Sequence, residues 1–359
     1  MAAGVSRPMA TKGNLIMNSR IVRLSMHALS WAAVVCGGIS TLAAENEKPA
    51  AAPFRLGIIG LDTSHAIAFA QEFNKDNPAE GLSGFKVVAA YPKGSPDILS
   101  STQRVAGYIE EIKKVGVEIV DSIPQLLDRV DGVLLETNDG RPHLEQVRPV
   151  LAAKKPVFID KPVAGTLVDA ITIYREAEAA GVPIFSSSGL RFGKRDQEIR
   201  SGALGKVMGA DTFSPCSLEA THPDLFWYGI HGVERLYTLM GPGCEEVTRT
   251  SSEDFEQVVG RWSDGRIGSF RGIRKGGSGY GGTVFGESAV EVLGTFEGYR
   301  PLIVSIAEFF RTGKPPVAAA ETIELYAFME AADESKRNHG AAVRISDVLK
   351  AAEAKVRRQ

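Results

Sequence analysis

The chain has 359 residues, 44% of them hydrophobic, and its 41 basic residues against 43 acidic ones leave a net charge of −2. That balance excludes a disordered chain and a strongly basic nucleic-acid binder, and at about 150 residues per domain it fits two domains. Three cysteines exclude a disulfide framework and a four-thiolate zinc site.

Residues 1–44 read as an export signal with an upstream extension, Met17 being a second candidate start. Arg20 and Arg23 form a positive n-region, residues 24–39 are mostly apolar, and Thr41-Leu42-Ala43-Ala44 offers small residues for cleavage. The apolar run is short against the roughly 20 residues of a membrane span, so no stable span is expected after cleavage; an uncleaved anchor is the alternative. The two arginines are not adjacent, so the twin-arginine signal is absent, and Ala33-Val34-Val35 before Cys36 is a poor lipoprotein context. The mature protein would therefore be periplasmic or extracellular, where Cys216 and Cys244 would be free to pair. Residues 45–53, rich in Ala, Pro and charge, read as a linker.

From residue 54 short apolar runs alternate with helical periodicity. Strands are predicted at 54–59, 86–90, 118–120, 132–136, 157–160 and 183–186. Helices are predicted at 66–74, 108–115, 123–130, 143–153 and 167–180, the last ending at Gly181. This alternation argues for a doubly wound parallel sheet of Rossmann type over residues 54–187. Ligands of such sheets sit at the carboxyl ends of the strands, which directs attention to residues 61–65, 91–93, 137–143 and 161–162. After residue 188 the pattern changes. Strands at 207–213, 247–250, 258–263, 268–273 and 290–293, with helices at 231–240, 301–312 and 321–338, predict an α+β domain over residues 188–359 with a mostly antiparallel sheet. A turn is expected at Ser263-Asp264-Gly265.

The first turn after a strand reads Gly60-Leu61-Asp62-Thr63-Ser64-His65. A dinucleotide turn wants G-x-G-x-x-G, so that the backbone can approach a pyrophosphate at a helix N-terminus. Only Gly60 matches; Asp62 stands at the second glycine position and His65 at the third. A carboxylate there repels a phosphate unless it is turned away or neutralised, and Asp62, Thr63 and Ser64 are equally good helix caps. After the second strand, Tyr91-Pro92-Lys93-Gly94 lacks the acid that binds a ribose. Lys93 either favours a phosphorylated ribose or is an exposed loop lysine.

Residues 157–192 resemble the Gfo/Idh/MocA family, the glucose-fructose oxidoreductase and inositol dehydrogenase group. Its Glu-Lys-Pro motif appears as Asp160-Lys161-Pro162, its Thr-Pro-Asn-x-x-His turn as Thr137-Asn138 and His143 with altered spacing, and its second-domain histidine as His231 in Gly229-Ile230-His231. Residues 309–316 look like its C-terminal segment, and the resemblance covers 54–348. It implies NAD or NADP, a sugar-like or polyol-like substrate, and a dimer or tetramer. It places Lys161 on the reacting hydroxyl and His231 as the general acid/base. Gly60, Asp62, Thr63, Ser64, His65, Thr137, Asn138, His143, Asp160 and Lys161 are the candidate cofactor residues. Arg191, Trp227, Tyr228, Arg274 and Tyr280 are the candidate substrate residues.

Each has a plainer reading: Lys161 as a loop lysine, His231 and His65 as packed histidines, His143 as a helix start, and the aromatics Phe226-Trp227-Tyr228 as core or interface. Residues 272–286 read as a substrate lid or a long hairpin loop. The family commonly carries an Asp four residues before the histidine, where this chain has Trp227. His222 and Asp224 alone do not make a metal site, and no other metal-ligand spacing is present. Outside the cytoplasm free dinucleotide is expected to be scarce, which a tightly held cofactor would avoid, as would a protein that has given up redox chemistry. Two alternatives stand beside the oxidoreductase: a glycoside-cleaving enzyme that retains NAD, and a non-catalytic carbohydrate-binding protein.

Overall fold

The computed structural model describes residues 52–358; the segments predicted as export signal and linker lie outside them, save for the linker's last two residues. The first half is built from β1 (Phe54–Ile59), α1 (Ser64–Phe73), β2 (Phe85–Tyr91), α2 (Leu99–Lys113), β3 (Glu118–Ile119), α3 (Ile123–Leu127), β4 (Gly132–Leu135), α4 (His143–Ala152), β5 (Val157–Asp160), α5 (Leu167–Ala180) and β6 (Ile184–Ser187). The strands form one parallel sheet in the order β3-β2-β1-β4-β5-β6. The order reverses between β1 and β4, and a crevice for a ligand opens at that switch point.

Register fixes what meets at the carboxyl edge. Ile59 lies opposite Leu135, and Leu135 opposite Ile159. The next row is therefore Gly60, Glu136 and Asp160, with Ser187 beside Asp160. Side chains alternate faces along a strand, so Glu136 and Asp160 share the face of Leu134 and Phe158. These two pack with Phe69 and Phe73 of α1. Glu136 and Asp160 thus point side by side toward the first turn of α1.

The second half contains α6 (Lys194–Arg200), β7 (Val207–Pro215), α7 (Ile230–Met240), β8 (Cys244–Ser251), β9 (Phe255–Trp262), β10 (Ile267–Ile273), β11 (Gly281–Gly286), β12 (Val290–Leu293), α8 (Arg300–Thr312), α9 (Ala319–Arg337), β13 (Val343–Arg344) and α10 (Ile345–Val356). Its sheet runs β12-β11-β7-β10-β9-β8-β13 and is antiparallel except between β7 and β10. Helix α7 lies on this sheet, and Gly232 makes the fit possible, because a Cβ there would meet Phe270 at 2.3 Å. Helix α8 crosses to the first sheet, where Phe309 meets Phe185 at 4.9 Å between ring centres.

Several elements differ from the sequence-based expectation. Helix α2 begins nine residues early because Ser100 to Arg104 is polar and gives no apolar periodicity. Helices α6 and α10 were not expected. Residues 272–286, read as a lid or a long hairpin loop, are about half strand: β11 pairs with β7 and β12, and a Cβ on Gly281 would meet the Phe213 ring at 2.4 Å. Cys216 and Cys244 are separate buried free thiols, so the pairing left open to them is not made; burial pushes them up to about 11 and about 12. No helix among the described residues is long and apolar enough to cross a membrane.

Candidate active site

A cavity of about 270 Å³ lies between the two sheets' edges. One wall comes from the first half: Thr63, Ser64 and His65 of the α1 start, Ser100 and Arg104 of α2, then Asn138 and Lys161. The other comes from the second half: Ser188, Trp227, Tyr228, His231, Tyr280, Phe296 and Tyr299.

The β1–α1 turn explains how a broken glycine motif still makes a wall. Gly60 has φ +94°, and a Cβ on it would lie 2.5 Å from the Thr137 backbone nitrogen. Only glycine brings the two loops this close. Thr63 caps α1 by accepting from the His65 amide. Asp62 is turned away from the cavity and fully buried. Its carboxylate accepts from the Asn138 amide at 2.9 Å and from the Ser101 hydroxyl at 2.7 Å. Burial raises its pKa, partly offset by those hydrogen bonds, and the two donors engage the carboxylate on the side away from the cavity. Arg104 reaches over the turn to the Asp62 carbonyl.

Lys161 follows β5 and is buried, yet its ammonium donates to no described residue; the Asp160 carboxylate is 3.9 Å away. Asp160 instead holds His65, with Oδ2 2.7 Å from Nδ1. Burial works to raise the Asp160 pKa, but the His65 and Lys161 charges and the hydrogen bond hold it at about 2. Beside it, Glu136 is fully buried with neither oxygen hydrogen-bonded to a described residue. Burial, then the Asp160 charge, lifts its pKa well above the usual range. An unpaired buried polar group costs about 1–3 kcal/mol.

On the opposite wall His231 opens α7 after a wide π-helical turn at Leu225–Gly229. Its Nδ1 lies 2.8 Å from the Ser188 hydroxyl, leaving Nε2 toward the cavity. Ser188 both donates and accepts, so it suits either neutral tautomer of the imidazole. It fills the orienting role that Trp227 cannot. Burial, then the charges of Lys161 and His65, lower the His231 pKa well below the ordinary value. Tyr228 and Tyr280 stand edge-on to the ring at 5.1 and 5.9 Å.

The structure therefore brings Thr63, Ser64, His65, Asn138, Lys161, Trp227, Tyr228, His231 and Tyr280 to one cavity. It sets other candidates aside. Arg191 is a correction: it is buried against Glu234 and Glu321 at 2.5 and 2.6 Å, in a network that Arg200 completes, and does not line the cavity. Arg274 is a second: it pairs with Glu256 and the Ser252 and Glu253 carbonyls. The His143 ring lies 2.8 Å from the Thr137 carbonyl and 3.2 Å from that of Val163, so it braces loops rather than meeting a ligand. Gly60, Asp62, Thr137 and Asp160 shape the floor without lining the cavity. Sequence reasoning missed Ser188, Glu136, Arg104, Phe296 and Tyr299. Ser188 had a signal, since it follows β6 at a carboxyl strand end.

The residues present fit a dinucleotide at its phosphate and nicotinamide end. Helix α1 offers its N-terminus, Arg104 a cation, and Asp62 has turned away. A second hollow of about 530 Å³ at the ends of β2 and β3 is lined in part by Tyr91 and Lys93. The loop between β2 and α2 is fastened there by Ser95 to Asp139 at 2.6 Å and by Asp97 to Arg141 at 2.8 Å.

Residues 54–187 match the Gfo/Idh/MocA description of an oxidoreductase family with an NAD-binding Rossmann fold. No curated protein matches the chain. Among solved structures it is similar to a probable dehydrogenase from Thermotoga maritima, at 21% identity and TM-score 0.67, over 82% of this chain and 100% of the other. It is similar to scyllo-inositol dehydrogenase from Lactobacillus casei with bound NAD(H) and scyllo-inositol, at 14% identity and TM-score 0.65, over 82% and 99%. A third is an oxidoreductase from Agrobacterium radiobacter in complex with NAD+, L-tartaric acid and magnesium, at 17% identity and TM-score 0.63, over 82% and 99%.

Proposed function

We propose that this chain, an NAD-binding oxidoreductase by its Gfo/Idh/MocA-family domain at residues 54–187, moves hydride to or from a hydroxyl-bearing carbon of a sugar or polyol derivative. The observation that carries the reading is that Lys161 and His231 line the same cavity. When bound, NAD or NADP supplies the hydride acceptor or donor. Thr63, Ser64, Arg104 and Asn138 would hold its phosphate end.

Lys161 stabilises the oxygen that becomes alkoxide-like, since its buried ammonium donates to no described residue and lines the cavity. His231 takes the hydroxyl proton at Nε2 during oxidation and returns it during reduction, while Ser188 keeps the ring aligned. Trp227, Tyr228 and Tyr280 offer ring surfaces and hydroxyls to a sugar-like guest, the class that the bound scyllo-inositol of the Lactobacillus casei enzyme also represents. Exposed Phe213, Ile267, Phe285 and Val292 on the second sheet support self-association through it. Arg20, Arg23 and the apolar run at 24–39 support export.

The test is mass spectrometry of the gently denatured protein, followed by a polyol and sugar panel with added NAD+ or NADP+. Released dinucleotide and an oxidised product are expected, with the mature N-terminus reporting signal cleavage. A cleaved glycosidic bond without net oxidation would favour the hydrolase or lyase. A protein that holds no dinucleotide, turns nothing over and binds sugars at micromolar concentration would sink the oxidoreductase.

A further inference from the structure

Glu136 has no task in hydride transfer, and its setting is unusual. Both of its oxygens, and Oδ1 of Asp160, are buried without a hydrogen-bond partner among the described residues. Register places the two carboxylates side by side at the ends of β4 and β5. The first turn of α1 lowers His65 onto them. One ligand atom from each of His65, Glu136 and Asp160 falls within 4.8 Å of the others. No hydrogen bond joins Glu136 to either neighbour. A divalent ion at roughly 2.0–2.4 Å from each ligand spans donor atoms up to about 4.8 Å apart.

We propose that His65, Glu136 and Asp160 form a binding site for a single divalent cation of the Mn2+ or Zn2+ type. One imidazole with two carboxylates suits such borderline ions better than Ca2+, which prefers all-oxygen sites. Ligation replaces the proton between His65 Nδ1 and Asp160 by the metal and satisfies the free carboxylate oxygens. Two carboxylates balance the ion's charge, leaving Lys161, 3.9 Å from Asp160, as the one opposing neighbour among the described residues. The ion would tie α1 to β4 and β5 directly behind the Lys161 wall. The sequence hid this set because its members are 71 and 24 residues apart and come from a helix and two strand ends. The proposal does not depend on the hydride-transfer reading.

The test uses the full-length protein stripped with a chelator, without dinucleotide, titrated calorimetrically with Mn2+ and Zn2+ separately. One ion per chain is expected, with a rise in melting temperature. Glu136→Gln keeps the shape and should weaken binding by roughly 100-fold. Its metal-free melting temperature should be no lower than that of the parent, because a buried carboxyl has been removed. Asp160→Asn is the second variant, should Glu136→Gln fail to fold. No uptake at millimolar metal would overturn the site, as would equal affinity in the variants.

Discussion

The wall that comes from the parallel sheet carries its chemistry as buried charge, whereas the wall from the second half carries it as rings. Lys161, Asp160, Glu136 and His65 crowd the ends of two neighbouring strands and one helix start. His231, Trp227, Tyr228, Tyr280, Phe296 and Tyr299 come from a helix start, the π-helical turn before it and two loops. Strand ends are fixed by a hydrogen-bonded ladder, so a charge placed there stays at a set height above the sheet. Rings on loops are held by packing and adapt to a guest. The first wall is suited to stabilising charge that develops during reaction, and the second to recognising shape.

The sharpest way to break that comparison is Lys161→Met. If the first wall works through charge in a dry site, kcat should fall by about 10²–10³-fold while the purified protein still releases dinucleotide. Asp160 keeps His65 as a partner, so the fold should survive, as circular dichroism would show. A fall in kcat of less than tenfold would mean that the ammonium is structural and the two walls do not divide the labour in this way.

The pH profile makes a second, smaller cut. Burial and the Lys161 charge depress His231, so its base form persists below 6.5, the ordinary imidazole value. Oxidation needs that base form, so the acid limb of kcat/KM should lie well below pH 6.5. Removing the opposing charge in Lys161→Met should raise the imidazole pKa, measured by NMR titration. The same depression carries a stability sign: below pH 6.5 the unfolded chain binds a proton that the native His231 refuses, so stability falls as pH drops toward the native pKa. An acid limb at the ordinary imidazole position, unmoved in Ser188→Ala, would remove His231 as the base.

How much of this was legible follows the same division. The strands of the parallel sheet were readable because short apolar runs bounded by Gly, Pro or polar residues leave few other options, whereas β11 and β13 of the second sheet were not read. Strand ends then pointed to Lys161, Asn138 and His65 on physical grounds. The rings were not ordered by any period, and His231 and Tyr280 emerged only through resemblance or as loop hydrogen-bonders. Arg191 and Arg274 misled because an arginine's sequence position does not show whether carboxylates such as Glu234, Glu321 and Glu256 already hold it. Ser188 escaped because its role depends on α7 arriving 43 residues later.

Tyr280 gives the smallest and most discriminating cut at the second wall. Its ring stands edge-on to His231 at 5.9 Å, and its hydroxyl donates to that of Tyr228 across 3.4 Å. Burial raises its pKa far above neutral, so it remains a donor at every working pH. A neutral hydrogen bond at this distance contributes at the low end of about 0.5–1.5 kcal/mol, which corresponds to a few-fold effect. Tyr280→Phe keeps the ring and should raise KM about threefold with kcat unchanged, the signature of lost uniform binding. Were kcat to fall instead with KM constant, the hydroxyl would be acting on the transition state through His231, and the ring wall would share the chemistry assigned to the charged one.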